Sequence, residues 1–421
     1  MKRFISFALC LVLVFSLFLS MGCKEKIVFP DREAHINYGI ETFVPQMSND
    51  ENLVAVNLEG AVISADEEKQ LWSYKYLSYE EKGVYRIMLT MVRNLTEGFV
   101  NLGKLGKNSN VIIAKAFRAL SNDYPEYYWM PSSYYINVKN STSSISFKKN
   151  SEEDSYGYTI EEIHSNNEEF NDAILRITEK TKTARTPFEK EVIIHDELCN
   201  RIVYDSEFES SQESDIYSAF GALVYGHAVC EGYARAFKLL CKYVGIECIL
   251  VTGDSKGVGH MWNMVKLDDN WYHVDVTWDD LRAEPLHTYL NQTELNIRAD
   301  HDIDLTYDKA DSTLVTQGNS FNFNLPKATC TDFNYFRKNG LVLGENAVET
   351  FTDALISAYK NGQTYAELSF ENTDYEKKFK ENYEDLVVEI QELAIEKMGK
   401  MKFKLKTISF PTGTCVIYFT T

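Results

Sequence analysis

The sequence has no CxxC pair, no HExxH helix and no internal repeat, which excludes the common zinc signatures and the repeat architectures. Basic residues are scarce. Lys and Arg number 43 against 62 Asp and Glu, a formal charge of −19. Such a surface repels phosphate backbones and anionic headgroups, which argues against nucleic acid as a partner. Cysteines are equally uninformative as a framework: of the 8, Cys10 and Cys23 lie near the start and Cys230 stands apart. The rest, Cys199, Cys241, Cys248, Cys330 and Cys415, are odd in number and lack paired spacing, so no disulfide scaffold is implied. An uncharged apolar run from Phe4 to Leu19 is present but short, at 16 residues against the roughly 20 a spanning helix needs.

That short run has another reading. Lys2 and Arg3 precede it, and Ser20-Met21-Gly22-Cys23 comes after it, the order of an export signal. The ending resembles a bacterial lipoprotein signal, which implies removal of residues 1–22 and lipidation of Cys23. Losing Lys2 and Arg3 would leave 41 basic against 62 acidic side chains, a charge of −21. An acidic chain of this kind needs a covalent lipid to stay on a membrane, so the expected location is a lipid-anchored one facing the outside of the cell.

At 421 residues, with 44% hydrophobic content, the chain is too long for one typical domain. Beyond the signal, three regions are expected: an N-terminal α+β region at 23–160, a catalytic domain at 161–319 and a small α+β domain at 320–421. In the first, Ser78 and Glu81 form a capping box ahead of Val84, Ile87, Met88, Met91, Val92 and Leu95 on one helical face. A second helix spans about 110–120, and Tyr-rich segments at 134–138, 143–147 and 156–160 suggest a small antiparallel sheet. Residues 161–180 return to helical period. Thr186-Pro187-Phe188-Glu189 then starts a helix expected to end near Ile202, followed by an exposed loop over 206–215.

The centre reads as helix, strand, strand, strand. Cys230, Ala234, Phe237, Cys241 and Val244 recur at helical spacing, and Gly245 stops that helix. A strand over 246–252 and a flexible turn over 253–259 come next. Strands 260–267 and 271–276 then pair as a hairpin across Asp268-Asp269-Asn270. From 280 to 319 periodicity fades. The tail is expected to hold a helix over 348–360, a strand over 365–370, a helix over 375–398 and strands over 403–410 and 414–419, with no chemistry of its own.

The chemistry concentrates between Cys230 and Asp275. A cysteine at a helix start, a histidine 30 positions on and an aspartate 15 beyond that are the parts of an activated thiol nucleophile, its base and the group that orients the base. The orphan amides and dipole of a helix start favour a thiolate. Gly232, one step into the helix, reads as room for a substrate backbone. A buried cysteine on an apolar helix face is the duller reading of Cys230. The two correctly typed partners weigh against it. His273 shares a strand face with Asp275 and is a second imidazole to consider as base, or a hydrogen-bonded structural histidine. Trp262, Trp271 and Trp278 read as core aromatics or as lining of an acyl groove, and Asp279-Asp280 as a solvated turn.

The segments V-C-E-G-Y-A-R-A-F from Val229, G-H-M-W-N from Gly259 and W-Y-H-V-D-V-T-W-D-D from Trp271 together resemble the transglutaminase-like superfamily, especially its bacterial exported branch. H-D-E-L-C at 195–199 with V-Y-D at 203–205 is similar to the helix that precedes the core there, and Asp123-Tyr124-Pro125-Glu126 with Tyr128-Trp129 fits the N-terminal part of such proteins. The resemblance implies a papain-like α+β core with the nucleophile helix packed on a small antiparallel sheet. It implies Cys230 as nucleophile, His260 as base and Asp275 as orienting carboxylate, with no cofactor or metal; the acidic calcium sites of animal members are not recognisable. The expected reaction is attack on a carbonyl, usually a glutamine side-chain amide, to give a thioester resolved by an amine or by water. The Cys230 amide would face the oxyanion; Tyr225 and His227 are open choices for a second donor, each also readable as structural. Substrates would be proteins or peptides. The alternatives are a papain-like peptidase and a non-catalytic surface scaffold that keeps the fold.

Overall fold

A computed structural model describes residues 46–47, 53–55, 63–139, 141–147, 158–205, 215–280, 285–306, 321–399 and 404–420. The export signal, Cys23 and the 206–214 loop lie outside the described residues. Among those described, no helix is long and apolar enough to cross a membrane.

Three large apolar cores organise the described residues. The first packs helices Tyr79–Arg93 and Ser109–Asp123 against a five-stranded sheet that runs 46–47, 53–55, 99–103, 142–146, 135–139. The Ser78–Glu81 capping box forms as expected. The sheet is mixed, because 53–55 pairs parallel with 99–103. The strand expected over 156–160 gives way to a helix at its end. Thr159 caps helix Ile160–Thr178 through its own box with Glu162, so the helix signal outweighs the Tyr-rich alternation there.

The second core carries the site. Thr186 caps helix Pro187–Arg201 with Glu189, and helix Cys230–Val244 ends on Gly245 in the left-handed region at φ +81°. That second helix lies on a five-stranded antiparallel sheet ordered 290–292, 270–274, 258–267, 247–255, 301–303. The hairpin strands 247–255 and 258–267 are longer than the sequence pattern suggests. Pairing continues to Ser255 opposite Val258, so the expected flexible turn over 253–259 shrinks to Lys256-Gly257. Both outer strands of the sheet come from the stretch after Asp280 where periodicity had faded, since three-residue strands are too short to show a period. Gly253 admits one of them: a Cβ there would lie 2.0 Å from the Asp302 carbonyl oxygen.

The N-terminal region braces the outer side of the Cys230 helix. Arg235 donates to the Ser121 carbonyl at 2.5 Å, Lys238 donates to the Asn122 carbonyl, and Lys242 pairs with Glu126 at 2.5 Å. Asp123, in the same turn, accepts the Ser73 and Tyr74 amides at 2.9 Å each. The 123–129 segment is thus a structural plate behind the nucleophile helix.

The third core packs helices Ala347–Lys360, Thr373–Glu381 and Tyr383–Met398 on a sheet ordered 342–343, 365–370, 414–420, 404–409. The single helix expected over 375–398 is broken at Asn382. A division near Ser320 falls in an undescribed stretch. Phe321 and Phe323 just after it pack in the first core and Phe333 against the second, whereas the third core starts near Leu341.

Candidate active site

Cys230 is the first residue of its helix, half-buried, with Val229 in the extended N-cap position. Amides of a first helical turn have no acceptor inside the helix, so those at this end face outward. The space beside Gly232 is already taken. A Cβ there would lie 2.5 Å from the Ile216 carbonyl oxygen and 2.8 Å from the Ala228 Cβ. Gly232 therefore seats the chain's own 216–218 backbone, which leads to the cysteine, and this corrects the expectation that it leaves room for substrate.

His260 enters on strand 258–267, opposite Gly253. Its Nε2 lies 2.6 Å from Asp275 Oδ2, and the Cys230 side chain is near enough to influence its charge. Burial opposes charge on this imidazole, but Asp275, by charge and hydrogen bond, and then Cys230 raise its pKa to about 10. The side chain is only 8% exposed. Asp275 itself, expected inside the strand over 271–276, sits one residue past the observed strand Asn270–Val274. It is the N-cap of the short helix Val276–Asp279, and its Oδ1 accepts the Thr277 and Trp278 amides at 3.0 and 3.2 Å. Burial would push this carboxyl up, yet His260 and His301 hold it well below the usual carboxylate range.

His301 is the residue the sequence concealed. Its Nε2 donates to Asp275 Oδ2 at 3.0 Å, and its Nδ1 meets Asp300 Oδ1 at 2.7 Å. Asp275 is thus a fully satisfied acceptor shared by two histidines. The residue lies in a run of aspartates, Asp300-His301-Asp302, and only that alternation could have flagged it. Trp262 packs against both imidazoles, 5.8 Å from His260 and 5.1 Å from His301 by ring centroid.

The other expected residues divide clearly. His273 is fully buried and accepts the Trp262 indole N–H at 3.1 Å; burial, with Arg298 and His301, pushes it down to about 3. It is a neutral structural acceptor rather than a base. Trp262 and Trp271 are core aromatics, whereas Trp278 is half-exposed, with Lys256 Nζ 4.1 Å from its ring and an edge toward His260. Tyr225 and His227 are both exposed. Asp279 overturns its expected place in a solvated turn. It is completely buried, accepts the Tyr289 amide at 3.0 Å and lies 3.1 Å from His195 Nε2. Asp280 accepts the Tyr233 hydroxyl at 2.6 Å. Among the described residues, two three-residue clusters have ligand atoms within 4.8 Å of one another, His260–Asp275–His301 and His195–Asp196–His287.

Residues 176–276 match the family described as the transglutaminase-like superfamily. Mouse kyphoscoliosis peptidase is 32% identical over 93 residues, 19% of this chain and 14% of its own length. The human kyphoscoliosis peptidase is 29% identical over 114 residues, 24% and 17% of the two chains. The chain therefore spans less than a fifth of the length of these curated relatives. A solved TGase is similar at 14% identity and a TM-score of 0.25 over 54% of this chain and 59% of that one. The fold is mixed helix and strand with a transglutaminase-like core. Residues 176–276 belong to the transglutaminase-like superfamily.

Proposed function

We propose that the chain is a cysteine-dependent acyltransferase or amidohydrolase acting on proteins or peptides through a Cys230 thioester. The observation that carries this reading is Cys230 at a helix start near His260, whose Nε2 lies 2.6 Å from Asp275 Oδ2. With Asp275 holding the far nitrogen, the imidazolium form of His260 is favoured, and an imidazolium beside a thiol favours the thiolate. The thiolate attacks the carbonyl carbon of an amide, the oxyanion meets the first-turn amides, and His260 protonates the departing amine as the thioester forms. An incoming amine or water, relieved of its proton by His260, then breaks the thioester and restores the thiol. Trp262 and Trp278 flank the imidazole and limit water at that point.

Export and attachment through lipidated Cys23 are part of the proposal, supported by the composition of residues 1–23. Backbone cleavage is the second reading, favoured by the peptidase name of the mouse and human relatives. The deciding experiment offers a glutamine-bearing protein and a labelled primary amine to the protein and to its Cys230→Ala variant. Cys230-dependent incorporation of the label supports transamidation. Ammonia without incorporation supports deamidation, and new termini support a peptidase. Absence of all three products overturns the enzymatic reading in favour of a scaffold.

A further inference from the structure

Outside the Cys230 site, a buried polar cluster joins the second core to the third. His195 on helix Pro187–Arg201 and His287 in the segment after Pro285 both turn toward Asp196: His195 Nδ1 and His287 Nε2 each lie 3.0 Å from Asp196 Oδ1. The remaining nitrogen of each ring is held by a carboxylate. His195 Nε2 lies 3.1 Å from Asp279 Oδ2, and His287 Nδ1 lies 2.7 Å from Glu367 Oε2, on a strand of the third core. Glu367 Oε1 also accepts the His287 amide at 2.7 Å, and Tyr335 stacks on the His287 ring at 3.8 Å with an interplanar angle of 4°.

This is the outer-shell pattern of a metal-binding histidine pair. A carboxylate on the far nitrogen fixes the tautomer and aims the near lone pair, and both near nitrogens converge on a third oxygen ligand. The geometry points to a divalent transition-metal site formed by His195 Nδ1, Asp196 Oδ1 and His287 Nε2. Two imidazoles and one carboxylate suit zinc, with a further position left for water. The histidine and glutamate side chains are between 0% and 8% exposed, whereas Asp196 is 33% exposed and opens the site to solvent. Binding replaces the protons now shared with Asp196, so the metal competes with acid. Its position makes it a clasp. It would tie the helix before the Cys230 site, through Glu367, to the third core, and no sequence motif marks it because His287 lies 91 residues from Asp196.

Zinc titration of the full-length chain carrying Cys230→Ala, after chelator treatment, tests this without reference to activity and removes the nucleophile thiol as a competing ligand. One zinc per chain is expected, as is a rise in the melting temperature on loading. Cobalt in its place is expected to give visible absorption bands of low-symmetry coordination. Asp196→Asn and His287→Gln should each weaken binding about 100-fold, and Glu367→Gln about 10- to 100-fold. His301→Gln, which alters the other cluster, should leave it within about threefold. Where the two ligand variants fail to fold by circular dichroism, Glu367→Gln and the cobalt spectrum decide. Absence of saturable binding, binding insensitive to Glu367→Gln and to whichever ligand variants fold, or loss with His301→Gln instead, overturns the site.

Discussion

Replacing Asp275 with Asn removes a buried charge while keeping the shape of the side chain. Asp275 Oδ2 serves two histidine donors, His260 at 2.6 Å and His301 at 3.0 Å, while Oδ1 accepts the Thr277 and Trp278 amides, so an amide with its one oxygen cannot satisfy both pairs. If the Asn nitrogen faces His260, that ring must accept on Nε2 and carry its proton on the side of Cys230, which is the wrong tautomer for a base. The elevation of His260 from 6.5 to about 10 sets the scale. At about 1.36 kcal/mol per pKa unit the net rise corresponds to ~5 kcal/mol; Cys230 supplies part of it, while the opposing burial means that Asp275 and Cys230 together contribute more than the net rise. The expected loss in kcat/KM is therefore about 10²- to 10³-fold, mostly in kcat, since no substrate contact is removed. The alkaline limb of the rate profile, where His260 loses its proton, should move from about 10 toward neutrality. Iodoacetamide labelling of Cys230 against pH reads the same shift without substrate. Stability responds to pH through the same pair. His260, raised, adds stability that is complete below its unfolded value of 6.5 and is lost as pH rises through about 10. Asp275, lowered, adds stability present above 3.8 and lost on acidification. Both contributions are complete between 3.8 and 6.5, so Asp275→Asn should destabilise most in that window. Activity within threefold of the parent, with an unmoved alkaline limb, would refute the reasoning.

Three further outcomes rest on the packing. Gly232→Ala places a methyl 2.5 Å from a backbone oxygen, and should cost about 1–3 kcal/mol in denaturant unfolding and displace the segment leading to Cys230. Trp262→Phe keeps an aromatic ring but leaves His273 Nδ1 buried without its donor; a loss of about 1–3 kcal/mol is expected, and calorimetry showing no change would strip His273 of its structural role. Thr186→Ala deletes the cap of helix Pro187–Arg201 and should cost about 1 kcal/mol, whereas Thr186→Ser should restore nearly all of it.

Local signals were legible where a few adjacent residues make the decision. Ser78 with Glu81 and Thr186 with Glu189 close capping boxes three residues apart, and Gly245 ends the Cys230 helix because that position needs a left-handed backbone. Cys230, His260 and Asp275 were visible because residue type and order survive without coordinates. Their contacts belong to the tertiary structure. Whether an acidic residue is solvated or buried depends on what folds over it: Asp279 reads as a turn in sequence and is sealed between His195 and Tyr289 in the fold. Gly232 reads as an opening and proves to be filled by residues 216–218, which reach it from an upstream turn. His301, Glu367 and the two short outer strands carry no period and no motif. Residue order and spacing were enough to determine the helices, the hairpin and the identity of a thiol, imidazole and carboxylate series. That Asp275 serves two histidines, and that His195, Asp196 and His287 meet, was decided in three dimensions, because distant segments become neighbours through burial and sheet pairing rather than through spacing along the chain.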